Sequence, residues 1–98
     1  MEDVELMERA TKAAALTLEE SIYPGWFMCD GRQWNALADD GDALRLAVKL
    51  HLDVMTSCRL DEIQVGGAVK STTFQPIEGD RFSATRRAIV RAAAAMAD

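Results

Sequence analysis

Cys29, Cys58 and His51 are the side chains here best suited to covalent or metal chemistry, because a thiolate attacks carbon or ligates zinc and an imidazole relays protons. With one histidine, any site needing two imidazoles is excluded, and the cysteines lack the close Cys-x-x-Cys spacing of a zinc or redox motif. Two cysteines are also too few for the disulfide framework of a small secreted domain, so both read as buried thiols. His51 stands at the end of a helical pattern, where an imidazole caps or is solvated. The sequence therefore assigns no catalytic residue, no metal ligand and no cofactor.

Asp39, Asp40 and Asp42 bring three carboxylates close together, a set that binds magnesium or calcium in some loops. The regular oxygen ligands of a calcium loop and its closing glutamate are missing, and an aspartate ahead of an apolar helical series is a normal N-cap. Gly66-Gly67 has neither the lysine of a phosphate loop nor the repeated glycines of a dinucleotide turn, which leaves a tight turn or bulge. Arg81, Arg86, Arg87 and Arg91 form the dense basic set, suited either to forked bonds with phosphate or carboxylate or to pairing with the acids of residues 1–20.

These groups must be held by a few short elements. Val4, Met7, Ala10, Ala14 and Leu18 recur at helical steps and predict an amphipathic helix from Asp3 to about Leu18, stopped by Tyr23-Pro24-Gly25. Trp26–Cys29 and Arg32–Asn35 flank Asp30-Gly31, the signature of a tight hairpin, with Trp26 and Trp34 as packing anchors. Asp39 or Asp40 is expected to cap a second helix, with Leu44, Ala47, Val48 and Leu50 inward, ending near His51. Alternation then predicts strands around Leu52–Thr56, Ile63–Val65 and Val69–Gln75, the last ended by Pro76. Asp80 or Ser83 is expected to cap a final helix whose inner face is Phe82, Thr85, Ile89, Ala93 and Met96, with its alanine run allowing close backbone approach.

The predicted fold is thus α+β over residues 1–98: a single domain of three helices and an antiparallel sheet of four or five short strands, the middle helix crossing between ribbon and meander. Val4, Met7, Leu44, Val48, Ile89 and Met96 are the expected core, and truncating a fully buried Ile89 should cost about 2–5 kcal/mol.

At 98 residues, 49% apolar and 28% charged, the chain can fill a core that a disordered segment could not. No apolar run approaches the ~20 residues of a membrane span, and acids stand near the N-terminus where an export signal carries bases. Cytoplasm is the expected compartment. The net charge of −5 repels phosphate backbones, which argues against direct nucleic-acid binding. That charge is uneven: residues 1–20 carry −4, 21–80 carry −4 and 81–98 carry +3, so the two end helices should attract within a chain or across a homodimer.

Two stretches, Trp34-Asn35-Ala36-Leu37-Ala38-Asp39-Asp40-Gly41-Asp42-Ala43-Leu44-Arg45-Leu46-Ala47 and Ala84-Thr85-Arg86-Arg87-Ala88-Ile89-Val90-Arg91-Ala92-Ala93-Ala94, resemble small phage and prophage proteins of the phage alpha-beta-alpha sandwich domain family. In that family a tryptophan-bearing strand leads into an aspartate-glycine-aspartate helix start and an arginine-rich helix closes the chain. Family members often have proline where Ala36 stands, and 59–79 carries no diagnostic motif. The resemblance implies a helix-flanked sheet and a bacteriophage origin; the family has no assigned activity to carry over.

Together these features predict a non-catalytic binder or inhibitor of a host protein, in the manner of anti-CRISPR proteins, acting in the bacterial cell. Glu2, Glu5 and Glu8, with Asp39, Asp40 and Asp42, would face a basic groove that otherwise accepts nucleic acid, and Arg87 and Arg91 would supply basic contacts. The alternative is a phage structural or assembly subunit that self-associates.

Overall fold

A computed structural model describes residues 2–57, 59–67 and 71–97. The chain runs α1 (Asp3–Ala13), β1 (Glu19–Glu20), β2 (Phe27–Cys29), β3 (Arg32–Trp34), α2 (Asp40–Lys49), β4 (Leu52–Met55), β5 (Glu62–Gly67), β6 (Thr73–Pro76) and α3 (Arg81–Ala95). The α+β class, the three helices and the crossing position of α2 match the sequence pattern. The sheet differs from expectation: the described residues form two three-stranded antiparallel sheets, ordered β1-β2-β3 and β4-β5-β6, in place of one sheet of four or five strands.

The division begins where α1 stops. The helix ends at Ala13, five residues short of Leu18, and Ala15 turns the chain with φ 57°, while the Leu16 N–H closes the end on Thr11 O at 2.9 Å. Leu16 and Leu18 then pack on the core at a two-residue period, which commits this stretch to extended backbone, and Glu19 and Glu20 pair with Met28 and Phe27. Val4, expected inside, is 44% exposed, and Leu6 is buried with Met7 and Ala10 instead.

The ribbon forms as its sequence requires. Asp30 and Gly31 both take positive φ, 53° and 78°, and Cys29 pairs with Arg32 across them. Trp34 is its buried anchor, whereas Trp26 is only half-buried.

In α2 Ala47 and Leu50 are buried as expected, but Ala43 and Leu46 join them in place of Leu44 and Val48, because the buried Asp42 fixes the inward side of the first turn. Leu44 and Val48 are 61% and 67% exposed. The helix ends at Lys49, and His51 turns the chain with φ 55°. In the second sheet, Leu52 to Met55 pair with Gly67 to Gln64, and Ile63 and Val65 bury fully. Gly66-Gly67, expected as a turn or bulge, is strand, paired with Asp53 and Leu52. The third strand is Thr73–Pro76, and its expected start at Val69 lies outside the described residues, as does Cys58.

α3 packs against α1, α2 and all three strands of the second sheet. Ala84, Ala88, Ile89, Val90, Ala92, Ala93 and Ala94 are therefore buried, a nearly all-round pattern suited to a helix covered on several sides. Phe82, expected on the inner face, is 67% exposed, and Met96 is half-buried. Both small sheets share one core, in which Trp34 and Cys29 join Met7, Leu46, Ile63, Val65 and Val90.

Asp80 caps α3, accepting from the N–H groups of Phe82 and Ser83 at 3.2 and 3.0 Å and from the Ser83 hydroxyl at 2.8 Å. The Ser83 hydroxyl, then the Ser83 and Phe82 amides, hold its carboxyl below the ordinary aspartate value of 3.8. A depressed folded-state pKa gives stability that is present above the unfolded value and lost as pH falls through the folded one. Amide exchange at Phe82 and Ser83 is accordingly expected to accelerate, beyond its intrinsic pH trend, below about pH 4, and Asp80→Ala should abolish that dependence. Exchange in the variant that still follows the wild-type pH curve would contradict the cap.

Ile89 is 4% exposed, so Ile89→Ala should destabilise. One side of it lines a surface groove, which places the expected loss near the low end of the core range, about 2–3 kcal/mol by chemical denaturation. A loss above about 4 kcal/mol would mean that the site is sealed.

Candidate functional site

The fold spends most of the charged residues that the sequence singles out. Each arginine of α3 ties that helix to a different part of the chain. Arg81 donates to Thr56 O and Leu60 O at 2.7 and 3.0 Å, gathering the connection between β4 and β5. Arg86 donates to Leu37 O at 2.9 Å and pairs with Asp40 at 2.6 Å, holding the start of α2. Arg87 meets Asp3 of α1 at 3.1 Å, and Arg91 donates to Phe74 O and Gln75 Oε1 of β6 at 3.0 and 2.8 Å. The expected neutralisation by acids of residues 1–20 thus holds for Arg87 and Asp3; the other three arginines find carbonyls, a glutamine and Asp40.

The aspartate trio also divides. Asp39 caps α2, accepting from the Asp42 N–H at 2.8 Å, and Asp40 is the partner of Arg86. Asp42 is 3% exposed and accepts from the Asn35 N–H at 2.9 Å and from Arg45 at 2.7 Å, so its carboxylate faces the protein and not a partner. Glu2, Glu5 and Glu8 remain solvent-facing on α1. Asp40 and Arg91 are exposed as well but are tied to Arg86 and to β6, so Glu2, Glu5 and Glu8 are the expected contact residues whose side chains bind no other described residue.

Cys29 lies beneath Arg32, Trp34, Asp42 and Arg45 around a small recess of about 210 Å³ whose lining does not include His51. Burial pushes its thiol above the usual value of 9.0, and the neighbouring Asp30 and Asp42 carboxylates push the same way. At neutral pH it is a protonated, shielded thiol, a poor nucleophile. His51 is exposed. Among the described residues no group of three or more His, Cys, Asp or Glu side chains is arranged to hold a metal ion, and no helix is long and apolar enough to cross a membrane.

Two surface features were hidden in the sequence. The first is a groove of about 430 Å³ between α2, β4 and α3, with Leu44, Val54, Phe82 and Ile89 supplying its apolar lining and Asp40, Arg81 and Arg86 its charges. Leu44 and Phe82, expected on the inner faces of their helices, supply much of its lining. The available signal was that α2 carries two apolar stripes, Ala43/Leu46/Ala47/Leu50 and Leu44/Val48, of which a helix on one core buries one. The second is a groove of about 560 Å³ between α1 and β1, whose lining includes Val4, Glu8, Leu18, Glu20 and Phe27. It depends on the early end of α1, which no local signal in the sequence marks. No family model, no curated protein and no solved structure matches the chain.

Proposed function

We propose that the protein is a non-catalytic binding module that seats an apolar segment of a partner protein in the groove between α2, β4 and α3. One observation carries this reading: large apolar side chains, Leu44 at 61% and Phe82 at 67% exposure, remain at the surface beside the half-buried Val54 in one concave site. A small charged protein has little reason to leave such side chains in water together unless something covers them. The net charge of −5 and the free carboxylates of α1 favour encounter with a basic partner and disfavour nucleic acid.

The resemblance of 34–47 and 84–94 to phage proteins extends the proposal to a phage or prophage product acting on a host protein inside the bacterial cell, as an inhibitor of a protein that itself binds nucleic acid. The two stretches meet in the fold, through Arg86 to Leu37 O and Asp40.

Both Leu44 and Phe82 can be changed without emptying the core. Leu44→Asp and Phe82→Asp are expected to weaken capture of the host partner by about tenfold or more while the thermal transition moves little. Capture unaffected by both substitutions would exclude the groove. The same surface supports a second reading, self-association, because Val48 lies one turn from Leu44 and an exposed apolar patch can meet its own copy about a two-fold axis. Sedimentation separates the two: a dimer that dissociates on Phe82→Asp favours self-association, and a monomer at high micromolar concentration removes it.

A further inference from the structure

We propose that the groove between α1 and β1 is a second docking surface, and that its occupant is an extended, basic segment of a partner protein in which lysine or arginine alternates with apolar residues. It shares no lining residue with the groove of α2, β4 and α3, so the two readings stand or fall separately.

The chemistry of the occupant follows from the walls. Val4, Leu16, Leu18 and Phe27 make an apolar floor, and Glu8, Glu19 and Glu20 at its rim face a single base, Lys12. Five of the aspartates named above are already engaged: Asp3, Asp39, Asp40, Asp42 and Asp80 each bind a group of this chain. The carboxylates of Glu8, Glu19 and Glu20 make no hydrogen bond or ion pair with another described residue. Two consecutive elements, α1 and β1, thus bring unpaired negative charge around an apolar floor completed by Phe27 of β2, and cationic side chains with long aliphatic stems satisfy both at once.

The register supplies the shape. Glu20 stands directly opposite Phe27, on the same face of the strand pair, and β1 is the edge of its sheet, open to a further extended chain. The groove continues into a neighbouring recess through Val4, Glu20 and Phe27, where Tyr23, 55% exposed, and the half-buried Trp26 offer aromatic faces to a cation.

The test uses a fluorescent octapeptide alternating arginine and valine, and a second alternating arginine and glycine, titrated into the full chain. Glu8→Lys with Glu20→Lys is expected to weaken the arginine–valine peptide by about tenfold or more, and Asp53→Lys with Glu78→Lys, an equal change of charge at exposed sites outside both grooves, by about twofold or less. The arginine–glycine peptide should bind several-fold more weakly than its valine counterpart, because it leaves the floor uncovered. In the unsubstituted protein, amide shifts should concentrate at Val4, Glu8 and Glu20. Equal losses in the two double variants, equal affinity for the two peptides, or amide shifts that bypass α1 and β1 would each overturn the proposal.

Discussion

Asp42→Ala is expected to lower the stability of the fold by about 3 kcal/mol, a fall in Tm of about 15 °C for a domain of this size. The side chain is 4% exposed and does two jobs at once. One oxygen accepts the Asn35 N–H at 2.9 Å and the other accepts Arg45 at 2.7 Å, with Arg32 at 3.8 Å. Asn35 is itself buried and organises the turn into α2: its side-chain oxygen accepts from Leu37 N and Ala38 N, and its side-chain nitrogen donates to Gly25 O. Alanine strands the Asn35 N–H without a partner in the interior, and a buried unmet donor costs more than a lost surface bond. Arg45 is half in water and recovers part of its loss there, which keeps the estimate below that for a fully buried ion pair. Asp42→Asn retains an oxygen for the Asn35 N–H and should lose about half as much by chemical denaturation. A loss under about 1 kcal/mol in the alanine variant would show that the turn holds without this carboxylate.

Gly67→Ala is expected to cost a comparable amount, about 3 kcal/mol, for a reason that involves the backbone alone. Gly67 has φ 97°, a conformation that strains any residue with a Cβ, and that atom would stand 2.6 Å from His51 O and 3.0 Å from Asp53 N. Neither neighbour is a flexible side-chain end; both belong to the backbone at the start of β4, so relief requires the strand pair to shift. Gly66 is the internal comparison. Its added Cβ would meet only the mobile ends of Met55 and Thr72, at 3.6 and 3.7 Å, and the change should be close to neutral. Denaturation midpoints of the two alanine variants should therefore separate widely. Near-identical midpoints would mean that the β4–β5 register gives way easily at this end.

The α3 arginines give the fold its positive charge where it is needed internally. A helix wrapped by α1, α2 and the second sheet is held to each by packing of small residues, and Arg86, Arg87 and Arg91 add a directed bond to α2, α1 and β6 in turn. This leaves the surface acidic, with Leu44 and Phe82 exposed together in one groove and other apolar side chains, Ile22 and Leu60 among them, exposed outside the grooves.

What the residues settled by themselves was local. Asp30-Gly31 marked the ribbon turn, Asp39 or Asp40 and Asp80 or Ser83 marked the two later helix starts, and alternation through Leu52–Thr56 and Ile63–Val65 marked strands, because each depends on the conformational preference or hydrogen bonding of a few neighbouring residues. The tertiary structure decided which apolar face turns inward, where α1 ends, and which charges remain free. Leu44 and Val48 form as good a helical stripe as Leu46 and Leu50; the choice falls on the second because Asp42 must reach Asn35 across the turn. The extension of Leu16 and Leu18 away from α1, and with it the pairing of β1 and the second groove, follows from a strand partner at Phe27–Met28 that lies too far along the chain for local periodicity to register. The two grooves are surfaces assembled by tertiary packing, so they belong to this second set: pattern and capping act over a few residues, whereas burial and pairing are decided by whatever else the folded chain brings alongside.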